Sequence, residues 1–312
     1  MSVLVTGGSG FIGRYVVDEL LRQGRSVVVF DRRYPAEPVP GVSYFFGDIR
    51  DSIDTTEAMA HAQSYIHLAG VLGTQETIQN PMPAVETNIL GGLNVLGAAR
   101  QYGVPGVQIA VGNHWMNNTY AISKSTMERF AEMYQTEHGL PITTVRALNA
   151  YGPRQVPSAP YGSSKVRKIM PSFVCRALTQ TPIEIYGDGS QIMDMIHVRD
   201  VASILVTALE YTSNHGAAQG VVEAGTGRRT TVHYIARTVL EQVPAYQGAV
   251  SYLDMRPGEP PQSQVRGDPS TLKWIGYDAD LTLLEDGVLE TVQWFRDHWL
   301  PAHQRGADSA AA

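Results

Sequence analysis

The 312-residue sequence contains one cysteine, Cys175, so no disulfide can close within the chain. That fits a reducing compartment, and a cytoplasmic location is expected. No apolar run approaches the roughly 18 residues of a membrane helix. The N-terminus has no basic segment followed by a hydrophobic stretch and a cleavage site, so a secretory leader is not expected. The net charge is −6, without the basic excess that draws proteins to phosphate backbones or anionic lipid. Nucleic acid and membranes are therefore not expected partners. Nine histidines are scattered without metal-ligand spacing, and no metal site is expected. Neither an internal repeat nor a low-complexity linker appears. What remains is 43% hydrophobic and 17% charged, a composition that can build a sizeable core.

The first half alternates short apolar runs with amphipathic stretches. Ser2–Thr6, Ser26–Phe30, Val42–Phe46, Ser64–Leu68, Val107–Val111 and Ile142–Ala147 read as strands. Ile12, Val16, Val17, Leu20 and Leu21 recur at helical spacing, and helices are expected over Val85–Tyr102 and Tyr120–His138. Strands separated by helices imply an α/β protein with a doubly wound parallel sheet. After Asn149 the texture changes. Tyr151–Lys168 is rich in Pro, Gly and Ser and carries Arg154, Lys165, Arg167 and Lys168, as a long functional loop would. Beyond it come a helix from Pro171, a strand Ile183–Tyr186, a helix from Asp200 and capped by it, a strand Val221–Ala224 and a final helix Leu283–Trp299. Residues 1–150 are read as one domain with a return segment near 197–225, and 151–312 as mainly a smaller, interleaved second domain.

Thr6-Gly-Gly-Ser-Gly-Phe-Ile-Gly13 joins the first strand to the first helix. Glycines at 7, 10 and 13 permit a tight turn, close approach of backbone to a pyrophosphate and close helix–strand packing. The helix start behind Phe11 and Ile12 then offers free N–H groups and partial positive charge to phosphate. Asp31 ends the second strand, where a carboxylate can accept both ribose hydroxyls and would repel a 2′-phosphate. NAD is thus expected over NADP, although Arg32 and Arg33 follow directly.

Tyr120-Ala-Ile-Ser-Lys124 puts a phenol and an ammonium four residues apart on one helical face. A tyrosine with pKa ~10 is a poor base at neutral pH. A neighbouring ammonium and a bound nicotinamide cation both favour phenolate. The pair can therefore exchange a proton with a carbinol. A second copy, Tyr161-Gly-Ser-Ser-Lys165, lies in the Pro/Gly-rich loop. Only the first follows the fifth strand and opens a helix. His67 and His197 read as packed, hydrogen-bonded histidines.

These motifs, together with Asp48-Ile49, His67-Leu-Ala-Gly70, Asn88, Asn149-Ala-Tyr-Gly-Pro-Arg154, Tyr186-Gly-Asp-Gly189, His197-Val-Arg-Asp200 and Arg256-Pro-Gly-Glu259, resemble the extended short-chain dehydrogenase/reductase family, over residues 1 to about 300. The nearest subgroup looks like the NAD-dependent nucleotide-sugar epimerases and dehydratases. The resemblance implies a Rossmann-type domain binding NAD and a smaller domain binding a nucleotide-sugar, a UDP-sugar foremost. It implies that Asp48 and Ile49 border the adenine. Leu68, Ala69, Gly70 and Asn88 line the cofactor cleft, and Lys124 holds the nicotinamide ribose. Asn149, Arg256 and Glu259, with Arg154, face the substrate. A homodimer through the helices 85–102 and 120–138 is also implied.

Three departures stand out. The hydroxyl residue usual after the fifth strand is absent from Val111-Gly-Asn-His-Trp115, leaving Asn113, His114 or Thr119 to replace it. The acidic pair of the 4,6-dehydratases is missing there too. An apolar Met193 stands where an arginine normally binds the diphosphate, and Arg167 or Lys168 of the long loop is expected to supply the cation. The expected activity is epimerisation at C4 through a transient keto sugar. Dehydration, decarboxylation or net dehydrogenation of the same substrate class is the alternative. A catalytically silent NAD-binding regulator is a third reading, against which the Tyr120/Lys124 pair argues.

Overall fold

The computed structural model describes residues 2–35, 37–156, 160 and 166–311, with side chains to 305. Its first half runs β1 (Ser2–Thr6), α1 (Phe11–Arg22), β2 (Ser26–Asp31), β3 (Val42–Phe46), α2 (Ser52–Ala60), β4 (Ser64–His67), α3 (Thr74–Gln79), α4 (Met82–Ala84), a π turn (Val85–Gly91), α5 (Gly92–Tyr102), β5 (Gly106–Val111), α6 (Thr119–His138) and β6 (Ile142–Ala147). The second half adds β7 (Asn149–Tyr151), α7 (Ile169–Leu178), β8 (Ile183–Tyr186), β9 (Ile192–Met193), β10 (Met195–His197), α8 (Val198–His215), β11 (Val222–Ala224), α9 (Val232–Glu241), β12 (Val250–Leu253), β13 (Gln264–Val265), α10 (Leu284–Trp294) and α11 (Leu300–Ala311).

Seven parallel strands form the central sheet in the order β11-β6-β5-β4-β1-β2-β3, a Rossmann-type arrangement. Period-two alternation divides each strand between two cores. Val3, Val5, Val107 and Val145 meet α1 and α8 on one face. Leu4, Tyr65 and Ile142 meet residues of α2, α5 and α6, such as Met59, Leu96 and Met127, on the other. With both faces covered, the inner strands read as apolar runs. The chain returns to this sheet late, through α8 against α1 and β11 beside β6. A separate core of Tyr151, Phe173, Ile235, Val288 and Phe295 gathers α7, α9 and α10.

The structure corrects several readings. The helix expected over Val85–Tyr102 opens into a π turn at Val85–Gly91 before α5 begins. Helix α8 is capped by His197, whose Nδ1 accepts from Arg199 N at 3.3 Å, and not by Asp200. Asp200 instead accepts from Thr282 N and Oγ1 at 2.9 and 3.0 Å, tying α8 to the approach to α10. Fully buried Asp194, between β9 and β10, accepts from Thr226 N, Gly227 N and Gly267 N at 3.0, 2.8 and 3.1 Å. One carboxylate thus pins the turns after β11 and β13 together beneath the cleft.

Candidate active site

The glycine turn lies at the carboxyl end of β1, where open α/β sheets bind ligands. Gly7 has φ +72°, a conformation only glycine adopts cheaply, and a Cβ there would lie 2.7 Å from Ala69 N. At Gly13 a Cβ would fall 2.7 Å from Gly8 Cα, so α1 can sit this close to the turn only as glycine. Gly10 caps α1 without a side-chain hydrogen bond, leaving first-turn N–H groups to face an anion. Phe11 and Ile12 open this helix, and Phe11 packs edge-on against Tyr15. Asp31 accepts from Ser9 N and Arg33 N, both at 3.1 Å, which fixes its carboxylate against the turn. Arg32 is exposed. The Arg50 guanidinium, 2.7 Å from Asp48, holds that carboxyl below the usual range. Ile49 is buried against Gly91, a wall of the core next to the cleft. This cradle, with no Cβ at its closest points, uncapped N–H groups and a fixed carboxylate, fits a dinucleotide.

Leu68, Ala69 and Gly70 follow β4, and Ala69 N donates to Thr6 Oγ1 at 3.3 Å. Buried Asn88 in the π turn accepts from Val71 N at 2.7 Å and donates to Val71 O and Ser123 Oγ. Its amide is thereby engaged in clamping this loop to α6. Tyr120 and Lys124 lie on the buried face of α6 with Met127 and Ala131. Burial raises the Tyr120 pKa and pushes Lys124 down to about 8. Thr6 Oγ1 and His67 Nδ1 are 2.7 Å apart, so His67 is hydrogen-bonded as expected. Asn113 Nδ2 donates to Met116 Sδ at 3.5 Å, which anchors the turn after β5, whereas buried His114 Nδ1 has no partner among the described residues.

The residues expected to face a substrate come from distant segments. Arg256 donates to Glu259 from Nε and Nη2 at 3.1 and 2.8 Å and lies 5.0 Å over the Tyr186 ring. Glu259 therefore orients Arg256. Lys168 faces the same group: burial and then the Arg256 charge lower its pKa, while Glu259 and Glu76 oppose them. Half-buried Arg167 adjoins it, and Val166 packs at Gly73 ahead of α3. Met193 packs on the second core and brings no charge. Asn149 Nδ2 donates to Asp194 O at 3.2 Å. Arg154 is not brought to this cluster. With φ +68° it turns to α1, 3.5 Å from Asp18 and 5.9 Å above the Tyr15 ring. The second motif copy, Tyr161–Lys165, lies outside the described residues.

One residue missed in the sequence links the two ends. Buried Asn118 caps α6 by accepting from Ala121 N at 3.0 Å and donates to Gly258 O at 3.1 Å. An asparagine just ahead of a helical motif was the available signal.

The sequence pattern of the NAD dependent epimerase/dehydratase family matches residues 3–225. A dTDP-glucose 4,6-dehydratase from Streptomyces antibioticus is 28% identical, covering 100% of this chain and 98% of its own. The UDP-glucose 4-epimerase of Thermus thermophilus, solved with NAD, superposes with a TM-score of 0.82 at 28% identity over 96% of this chain and 100% of that one. The Thermotoga maritima UDP-glucose 4-epimerase, solved with UDP-glucose, gives 0.85 at 27% over 96% and 100%.

Proposed function

Because the chain belongs to the NAD dependent epimerase/dehydratase family and is an extended short-chain dehydrogenase/reductase with NAD as cofactor, we propose that it epimerises a UDP-sugar at C4. When bound, NAD supplies the acceptor that takes hydride from the carbinol carbon and returns it. Tyr120 takes the hydroxyl proton and gives it back. Lys124 holds the cofactor ribose and favours the phenolate. Asp31 would accept the adenosine ribose hydroxyls beside Arg32, and the loop Leu68–Gly70, positioned by Asn88, would border the nicotinamide. Asn113 or His114, in the turn after β5, replaces the missing hydroxyl residue as second partner of the reacting oxygen.

The observation that carries the reading is the convergence, through Asn118, of the Tyr120 helix with the cation pair Lys168/Arg256. Lys168 and Arg256 lie close enough to act on each other, Glu259 and Glu76 offset them only in part, and a diphosphate is an anion that both cations could hold. Epimerisation is favoured over dehydration because the segment from Gly112 to Thr119 carries no carboxylate to assist loss of water. Incubation with UDP- and dTDP-sugars, uronic acids included, should give a C4-inverted product by NMR. Neither net NADH nor solvent deuterium at C4 should appear. Loss of water or carbon dioxide from the product, or stoichiometric NADH, would overturn the reading.

We also propose a homodimer. Leu90, Tyr102 and Ile122, on the π turn, α5 and α6, expose 54%, 43% and 49% of their surface, an apolar face suited to pairing helix on helix. Light scattering should give twice the 34.1 kDa chain mass; a monomer mass rules the dimer out. No helix among the described residues is long and apolar enough to cross a membrane.

A further inference from the structure

A row of polar side chains crosses the buried sheet on the face that α6 covers. Parallel register aligns Thr6 with His67, His67 with Gln108, and Gln108 with Thr144. Their exposures are 0%, 3%, 1% and 9%. Strand alternation places them on the face of Leu4, Tyr65 and Ile142, above which α6 lies. Polar groups at this depth are costly unless paired. Thr6 and His67 pair with each other. Gln108 does not: neither Oε1 nor Nε2 has a partner among the described residues, and neither has Tyr65 Oη, whose ring lies against Gly106.

Lys124, on the buried face of the helix that covers this sheet, makes no ion pair among the described residues. Burial alone sets the downward shift of Lys124, with no carboxylate acting on it. The titratable groups that face it are Tyr120 on its own helix and His67 from β4; Asn88 from the π turn is neutral, and Glu128, further along α6, is engaged by Arg146. Burial, then the Lys124 charge, pushes His67 down to about 3, so the imidazole stays neutral beside the ammonium.

We propose that the row Thr6–His67–Gln108 stands in for the missing counter-ion, solvating the Lys124 ammonium with neutral dipoles. His67 and Gln108 are its positioning residues. A carboxylate would lock the lysine as a cation; dipoles leave its proton labile near neutral pH. The inference rests on Lys124 belonging to the catalytic pair. Its test does not use turnover, so it can succeed where the epimerase reading fails.

The chain has only four lysines, Lys124, Lys165, Lys168 and Lys273, so carbon-13-labelled lysine gives a resolvable NMR titration of the cofactor-free protein. A Lys124→Met variant assigns the signal. Gln108→Met keeps the length and removes both polar atoms, so the Lys124 midpoint should fall by about one pH unit, a tenfold change in its protonation equilibrium. Gln108→Glu adds a negative charge and should raise it by a similar amount. Gln108→Met should also melt at or above the wild-type temperature, because two orphaned buried atoms disappear. Opposite shifts in the two variants support the row. Identical Lys124 titrations in all three proteins, or a Gln108→Met protein that melts well below wild type or does not fold, overturn it.

Discussion

Replacing Tyr120 with Phe lowers kcat by about a hundredfold to ten-thousandfold, the usual range for loss of a positioned proton-transfer group. The ring keeps its place on the buried face of α6, so the fold and NAD affinity stay near wild type, as thermal melting and cofactor titration would show. Only the proton path is cut. Burial raises the Tyr120 pKa, so in the proposed reaction the phenol would need a nearby positive charge to act as a base. Tyr161→Phe is the matching control and retains activity. Loss of turnover in Tyr161→Phe with Tyr120→Phe still active would move the chemistry to the other copy of the motif.

The second large effect falls on binding. If the cluster holds the diphosphate as proposed, Lys168→Ala and Arg256→Ala should each remove one charged contact to phosphate, about 1.5–3 kcal/mol. That corresponds to a KM raised roughly tenfold to hundredfold for the nucleotide-sugar. The two cations act on each other, so the double variant should not show the product of the single effects. Arg154→Ala should leave KM unaltered, since its guanidinium faces Asp18 on α1. Steady-state kinetics with the accepted UDP-sugar decides the matter. An unchanged KM in the double variant would mean that this cluster does not hold the diphosphate.

The parts of the site that were legible in the sequence are those set by local spacing. The turn from Gly7 to Gly13, Asp31 at the end of β2, and Tyr120 with Lys124 depend on neighbours within one supersecondary unit. Strands β7, β9, β10 and β13 are two or three residues long, too short for any period to register. Gln108 hid within the apolar run Val107–Val111, where a single polar residue does not disturb a strand reading. Arg154 and Lys168 looked alike as loop cations. A left-handed residue sent one to α1, and packing of Val166 at Gly73 brought the segment of the other to the cleft. Asn118 gave a helix-start signal, but its bond to Gly258 joins segments 140 residues apart, and no local pattern carries that.

That bond makes Asn118 a mechanical link. Its oxygen secures the first turn of the helix bearing Tyr120, and its nitrogen grips the loop bearing Arg256. If the two ends are coupled through this side chain, reciprocity requires the influence to run both ways. A nucleotide tail gripping Arg256 would steady Tyr120 at the sugar, converting affinity for an unreactive handle into acceleration at a distant carbon.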